Sequence, residues 1–186
     1  MELIYKNAAS SRRAFLAVAG VSLLVILNIV GALVRIPLPF TPVPFTLQVF
    51  FVLLGASFLG ARKAGLAQIL YVVIGSLGLP VFSGAGSGFL YLAGPTAGYL
   101  YGFFLAALFC GFCIKFTHNK FHRVVLLFLI SEAILLISGA LWLVNSLKVS
   151  FTQGVLLGII PFIPGDFLKI LSAAAIYSCF GRKNSK

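Results

Sequence analysis

The feature that most constrains this chain is a series of apolar stretches, each long enough to cross a lipid bilayer as a helix. A spanning helix needs about 20 apolar residues, because each residue adds roughly 1.5 Å across a hydrocarbon core about 30 Å thick. Such stretches lie at residues 14–34, 45–61, 64–79, 96–114, 124–145 and 164–180. Charged residues are only 9% of the chain, too few to cover a soluble domain of this size. We therefore expect an all-α integral membrane protein with six transmembrane helices, in which residues 1–186 form one membrane-embedded domain.

The basic residues predict the orientation of these spans. One side of the membrane carries Lys6, Arg12, Arg13, Arg62, Lys63, Lys115, Lys120, Arg123, Arg182, Lys183 and Lys186. Loops rich in Lys and Arg stay in the cytoplasm, so we expect both termini to be cytoplasmic and the protein to lie in the inner (plasma) membrane. The net charge of +11 does not indicate nucleic-acid binding, because the basic residues lie between apolar spans rather than on one polar face.

The prolines all fall at or near the opposite, outer ends of the spans. They are Pro37, Pro39, Pro42, Pro44, Pro80, Pro95, Pro161 and Pro164. A glycine-rich connection, residues 78–94, lies on the same side. Irregular backbone is tolerated at membrane depth only where protein or water covers it, so this side is predicted to hold a cavity.

Three polar side chains are predicted to meet near that outer side. Asp166 lies within one turn of the start of the last span, and Lys169 follows on the same helical face. Gln48 follows Pro44, which we place in the first turn of the second span. Each ionisable group costs roughly 2.5–3.5 kcal/mol at a helix centre. Asp166 and Lys169 therefore form either a structural ion pair or part of a ligand site, and the depth of Gln48 favours the ligand site.

The outer loops provide possible walls for such a site. Residues 37–44 alternate proline with other residues, which predicts a stiff, polyproline-like segment that braces or covers the cavity. The connection 78–94 adds the aromatic side chains of Phe82, Phe89 and Tyr91. Residues 151–163 are too short to span and are predicted to be re-entrant or interfacial.

No arrangement of residues indicates catalysis, a bound metal or a cofactor. Cys110 and Cys113, with His118 and His122 beyond them, loosely resemble a metal or redox motif, but cysteines inside an apolar span are more typical of packing. Residues 84–88 are glycine-rich but lack the lysine of a phosphate-binding loop. We expect no enzymatic activity. Two roles are open for Glu132: a coupling or partner contact, or a protonated packing residue.

Five sequence blocks then resemble, in order, those of one family. They are P-V-P-F-T-L-Q at 42–48, L-G-A-R-K-A-G at 59–65, L-Y-V-V-I-G-S-L-G-L-P-V-F at 70–82, G-P-T-A-G-Y at 94–99 and P-F-I-P-G-D-F-L-K at 161–169. The chain is similar to the BioY family, the biotin-specific S components of energy-coupling factor (ECF) transporters. The resemblance implies a six-helix S-component fold and a high-affinity biotin site that faces outward. It also implies partners in the membrane, namely a transmembrane coupling subunit and two cytoplasmic ATPases.

The resemblance also implies which residues bind the ligand. Gln48, Asp166 and Lys169 match polar motif positions that would contact the bicyclic ring. The side chain of Tyr99 would form a wall or donate a hydrogen bond. Less central candidates are Thr46, Ser83 and Ser87. Arg35 or Lys148 would attract the ligand carboxylate near the mouth of the site.

One motif departs from the family pattern. The first helix of S components usually carries an alanine-x-x-x-alanine face for the coupling subunit, whereas here Ser10, Ala14 and Val18 occupy that spacing. The sequence therefore leaves three possibilities open: the chain shares its coupling module with other S components, has a dedicated one, or works alone. The alternative functions are an S component for another small vitamin, a stand-alone secondary transporter using Glu132 and Asp166 as proton sites, and a membrane enzyme.

Overall fold

The computed structural model describes the backbone of residues 2–181 and the side chains of residues 11–181. The predicted C-terminal basic cluster, Arg182, Lys183 and Lys186, lies outside the described residues, as do the side chains of Lys6 and Ser10. The described part folds into seven α-helices and one small two-stranded sheet. The helices are α1 Glu2–Leu33, α2 Gln48–Leu59, α3 Ala61–Ser76, α4 Ala97–Cys113, α5 Phe121–Leu147, α6 Phe151–Gly158 and α7 Ile163–Phe180.

Four segments of the described chain are long and apolar enough to cross a membrane, and they are Ser11–Leu33, Ala97–Thr117, Phe121–Leu147 and Ile163–Phe180. The other two predicted spans form helices that are shorter. At 1.5 Å per residue, the 12 residues of α2 extend about 18 Å and the 16 residues of α3 about 24 Å. The helical fold of a membrane protein is confirmed, whereas the count of six spans is not fixed by helix length alone.

The start of the second predicted span is corrected. Phe45–Thr46 is not helical but forms a strand, β2, that pairs antiparallel with β1, Arg35–Ile36. The helix begins only at Gln48, so Pro44 precedes the strand and is not a first-turn proline. By contrast, Pro164 does lie in the first turn of α7, where the missing N–H of proline is not needed.

The segment between these two strands is also less regular than predicted. Residues 37–44 are not a continuous polyproline helix, because the chain turns at Pro39 and Phe40 and bends again before β2. The Thr41 hydroxyl accepts a hydrogen bond from the backbone N–H of Val43 at 3.3 Å, which stabilises the bend. The segment is the loop of a β-hairpin that closes over one end of the helices.

The segment predicted to be re-entrant or interfacial, residues 151–163, contains the short helix α6. Its start is fixed by a capping box, in which the Ser150 side chain accepts from the backbone N–H of Gln153 and the Gln153 side chain accepts from that of Ser150. The helix packs against α5. It ends at Gly158, where a Cβ would lie 2.6 Å from the Tyr99 hydroxyl oxygen, so only glycine allows this approach.

Candidate ligand-binding site

The hairpin and the helix ends enclose a cavity of about 550 Å³, its open mouth included. The polar lining residues are Thr46, Gln48, Ser83, Tyr91, Thr96, Tyr99, Glu132, Asp166 and Lys169. The rest of the wall is Val43, Pro44, Val49, Leu100, Phe103, Leu135, Leu136 and Phe162. Of the seven residues predicted to bind the ligand, Ser87 alone does not line the cavity.

Asp166 and Lys169 form a buried ion pair at the first turns of α7. The Lys169 Nζ donates to Asp166 Oδ1 at 2.7 Å, and the two side chains are 8% and 5% exposed. The same ammonium donates to the backbone carbonyl of Thr46 and lies 3.3 Å from the centroid of the Phe45 ring. Strand β2 therefore supplies both a carbonyl and an aromatic face to a charge that has left water.

Gln48 is held by a chain of buried hydrogen bonds that joins three helices. Its Nε2 donates to Asn28 Oδ1 at 2.9 Å and to the Tyr71 hydroxyl at 3.1 Å. Asn28 in turn donates to Gln68 Oε1 at 2.7 Å, and Tyr71 donates to the carbonyl of Val81 at 3.1 Å. Because both donors of the amide point to protein, its carbonyl oxygen is left for Thr46, 3.4 Å away, and for the cavity. The network presents Gln48 to a ligand as an acceptor.

Tyr99 and Phe162 form the aromatic side of the cavity. The Tyr99 hydroxyl donates to the carbonyl of Gly158 at 2.7 Å, so its polar end is bound to protein and its ring faces the site. The Phe162 ring centroid lies 6.3 Å from that of Tyr99 and 6.4 Å from that of Phe45, with the second pair stacked. These rings offer flat apolar contact to a ring-shaped ligand.

The glycine-rich connection contributes only some of the expected residues. The Phe82 ring is buried behind Tyr91, stacked at 4.7 Å between centroids, and Tyr91 lines the cavity. The backbone N–H of Phe82 donates to the carbonyl of Gly86, which folds residues 82–86 into a tight turn. Ser83 faces the cavity from this turn, whereas Ser87 lies beyond it and is exposed. Phe89 is also exposed and is not part of the predicted aromatic wall.

Glu132 is the site residue that sequence reasoning failed to place. It lies on α5, far from Asp166 in sequence, yet its carboxyl group faces the carboxyl group of Asp166 and the ammonium of Lys169. It is 4% exposed. Leu135 and Leu136 follow it at helical spacing and line the same cavity. That spacing indicates that the three residues share one face of α5, but only the packing of α5 against α7 shows that this face lines the cavity.

The two candidate basic residues differ in position. Arg35 is paired across the hairpin with Thr46, and a Cβ at Gly84 would collide with its guanidinium, so Arg35 covers the glycine loop beside the cavity. Lys148 ends α5 in a left-handed conformation and is exposed. Neither residue lines the cavity.

The cysteine and histidine motif is not brought to the site. Cys110 is buried, and its Sγ lies 3.5 Å from the Ser57 hydroxyl, which is a packing arrangement. Within residues 11–181, no three His, Cys, Asp or Glu side chains are grouped so that they could hold a metal ion.

These features define a class of protein: a helical membrane protein with a mostly apolar cavity that is lined by several hydrogen-bond acceptors and one ammonium group. Comparison with known proteins identifies the family. Residues 6–185 match the model of the BioY family, so the chain belongs to the BioY family.

Relatives of known name agree with this assignment. The chain is 35% identical to "Probable biotin transporter BioY" of Lysinibacillus sphaericus, over 87% of this chain and 84% of that protein. It is 38% identical to "Biotin transporter BioY" of Thermotoga maritima, over 81% of this chain and 86% of that protein. The fold matches a crystal structure of the S-component for biotin from an ECF-type ABC transporter, with a TM-score of 0.82 and 22% identity over 90% of this chain and 92% of that chain.

The hydrogen-bond network around Gln48 yields a prediction. Asn28→Ala removes an acceptor of Gln48 and a donor to Gln68, and thereby leaves buried amide groups without partners. We expect a loss of about 1–3 kcal/mol, measured as a lower melting temperature of the purified protein in detergent. The control is Asn145→Ala, because Asn145 is exposed and donates only to the carbonyl of Leu141 one turn earlier. Equal melting temperatures for the two variants would show that the network does not stabilise the fold.

Proposed function

We propose that this protein is the membrane-embedded, high-affinity biotin-binding S component of an ECF-type uptake transporter. Membership in the BioY family is the observation that carries the proposal. The cavity supports it independently, because its polar groups complement those of biotin. The named relatives are transporters, which agrees with the expectation that the chain is not an enzyme.

The ureido ring of biotin carries two N–H donors and one carbonyl acceptor. Asp166 would accept from one N–H group, the Gln48 carbonyl oxygen offers a further acceptor in the same cavity, and Lys169 or the Ser83 hydroxyl would donate to the ureido carbonyl. The Ser83 hydroxyl supports this role because it is buried and bonds to no protein group of residues 11–181. Thr46 holds Gln48 and contributes its backbone carbonyl to Lys169.

The rest of biotin would follow the apolar and basic parts of the site. Tyr99, Phe162 and Tyr91 would cover the thiophane ring. The carboxylate tail would point out of the mouth, where Arg35 at the hairpin is better placed than Lys148 to attract it. Ser87 is the weakest of the predicted contacts, since it would have to reach the ligand from an exposed position on the loop.

The membrane arrangement is part of the same proposal. Six spans, counting α2 and α3, would place both termini in the cytoplasm and the cavity toward the outside of the plasma membrane, with the whole chain acting as one substrate-binding domain. The distribution of Lys and Arg supports this orientation. A transmembrane coupling subunit and two cytoplasmic ATPases would then supply the energy for transport.

Biotin binding tests the proposed site. We expect calorimetric titration of the detergent-purified wild type to show tight biotin binding that thiamine or riboflavin does not displace. Asp166→Asn should weaken that binding tenfold or more, because it removes an acceptor and leaves the Lys169 ammonium without its counter-ion. Ser87→Ala is the control and should bind within about twofold of wild type, while Ser83→Ala should bind more weakly than Ser87→Ala. Displacement of biotin by another vitamin would assign the site to that vitamin.

Uptake measurements test how transport is energised. Labelled biotin should enter cells that express this chain together with a coupling subunit and ATPases, and an ATPase-inactive module should abolish accumulation. The alternative is a transporter that works alone and uses the two acids of the cavity, Glu132 and Asp166, as proton sites. In that case uptake should occur without any ATPase, and an uncoupler should abolish it. That second result would replace the S-component proposal with a secondary transporter.

A further inference from the structure

Glu132 is the buried acid of the cavity that the binding scheme above does not use. Both of its carboxyl oxygens are buried, and within residues 11–181 they have no hydrogen-bond partner other than the carboxyl group of Asp166, which lies within reach. A buried polar group left without a partner costs roughly 1–3 kcal/mol, and more when it is charged. Such a cost persists where a group serves a ligand rather than the fold.

The neighbouring groups are already engaged with other partners. Lys169 donates to Asp166 and to the Thr46 carbonyl and faces the Phe45 ring on a third side. The Tyr99 hydroxyl donates to the carbonyl of Gly158. Asp166 faces Glu132 but is itself an acid, so it satisfies Glu132 only if one of the two carries a proton. Even then, Glu132 keeps at least one oxygen that can accept a hydrogen bond.

The surroundings of Glu132 show where such a bond would point. Leu135 and Leu136 on the same face of α5 make the adjoining wall apolar. Along this face the carboxyl group is therefore the polar feature that a ligand would meet. Asp166 reaches the same space from α7, so two helices each direct one acidic acceptor into the cavity.

We propose that Glu132 is a specificity-determining residue that accepts a hydrogen bond from one ureido N–H of the ligand, while Asp166 accepts from the other. This inference rests on the proposed biotin function and adds a contact that selects cyclic ureas with both nitrogens unsubstituted. A ring with one N–H would leave one carboxyl group buried without a donor and would bind less well.

The test uses two variants of similar length that differ in whether they keep an acceptor. Glu132→Met removes the acceptor oxygens, and Glu132→Gln keeps one. Each protein is titrated with biotin and with two analogues, each methylated at a different ureido nitrogen. The ratio of an analogue's Kd to that of biotin is the cost of methylation for that protein. We expect Glu132→Met to bind biotin tenfold or more weakly than wild type and Glu132→Gln to lie between them. For one of the analogues, the cost of methylation in Glu132→Met should fall at least threefold below its wild-type value.

Thermal unfolding separates this role from a structural one. Without biotin, Glu132→Met should melt at or above the wild-type temperature, because an unpartnered buried carboxyl group is replaced by an apolar side chain. On addition of biotin, the melting temperature of Glu132→Met should rise less than that of the wild type. Leu135→Ala, which enlarges the same wall without removing an acceptor, should keep the wild-type ratio between biotin and both analogues.

The outcomes distinguish the two levels of the account. Wild-type protein that binds biotin while Glu132→Met keeps both its affinity and the wild-type cost of methylation would overturn the role of Glu132 alone. A lower melting temperature of Glu132→Met without ligand, with unchanged discrimination, would likewise make Glu132 a structural residue. Folded wild-type protein that binds no biotin would overturn the proposed function itself.

Discussion

The ion pair between Asp166 and Lys169 is the interaction on which the rest of the site depends. Two charges cannot remain in an apolar helical protein without partners, and each supplies most of the other's compensation. The pairing is completed by strand β2, whose Thr46 carbonyl and Phe45 ring cover the ammonium. The hairpin is thereby attached to α7, although the two lie at opposite ends of the sequence. The same hairpin fixes where α2 begins and so where Gln48 is placed.

A second constraint is the uneven distribution of polar groups. One set, Asn28, Gln48, Gln68 and Tyr71, is hydrogen-bonded within the protein apart from the Gln68 Nε2, and it holds α1, α2 and α3 together. The other set, Glu132 and Ser83, is buried at the cavity with atoms that have no partner in residues 11–181. The first set rigidifies the site, and the second is available to a ligand. In the proposed site, this arrangement would let a preorganised cavity recognise a polar ring.

The sequence was sufficient to predict the helices and six of the residues that line the cavity, for definite physical reasons. Apolar length predicts helices in lipid, and Asp166 with Lys169 stands out because charges are rare in such helices. It was not sufficient for the β-hairpin, because its two strands are only two residues each and the prolines masked their pairing. The position of Glu132 in the cavity could not be predicted, because its neighbours there belong to another helix. Local sequence patterns do not show that α5 packs against α7. Ser83 and Ser87 could not be separated, since only the turn at residues 82–86 decides which faces inward.

The most direct measurement is a crystal or cryo-electron microscopy structure of the purified protein with biotin bound. We expect density for the bicyclic ring between α2, α5 and α7, with ureido atoms within about 3.2 Å of Asp166, Gln48 or Lys169 and the carboxylate tail toward the hairpin. Biotin bound at a different surface, or bound in this cavity in reverse with its carboxylate on Lys169, would contradict it.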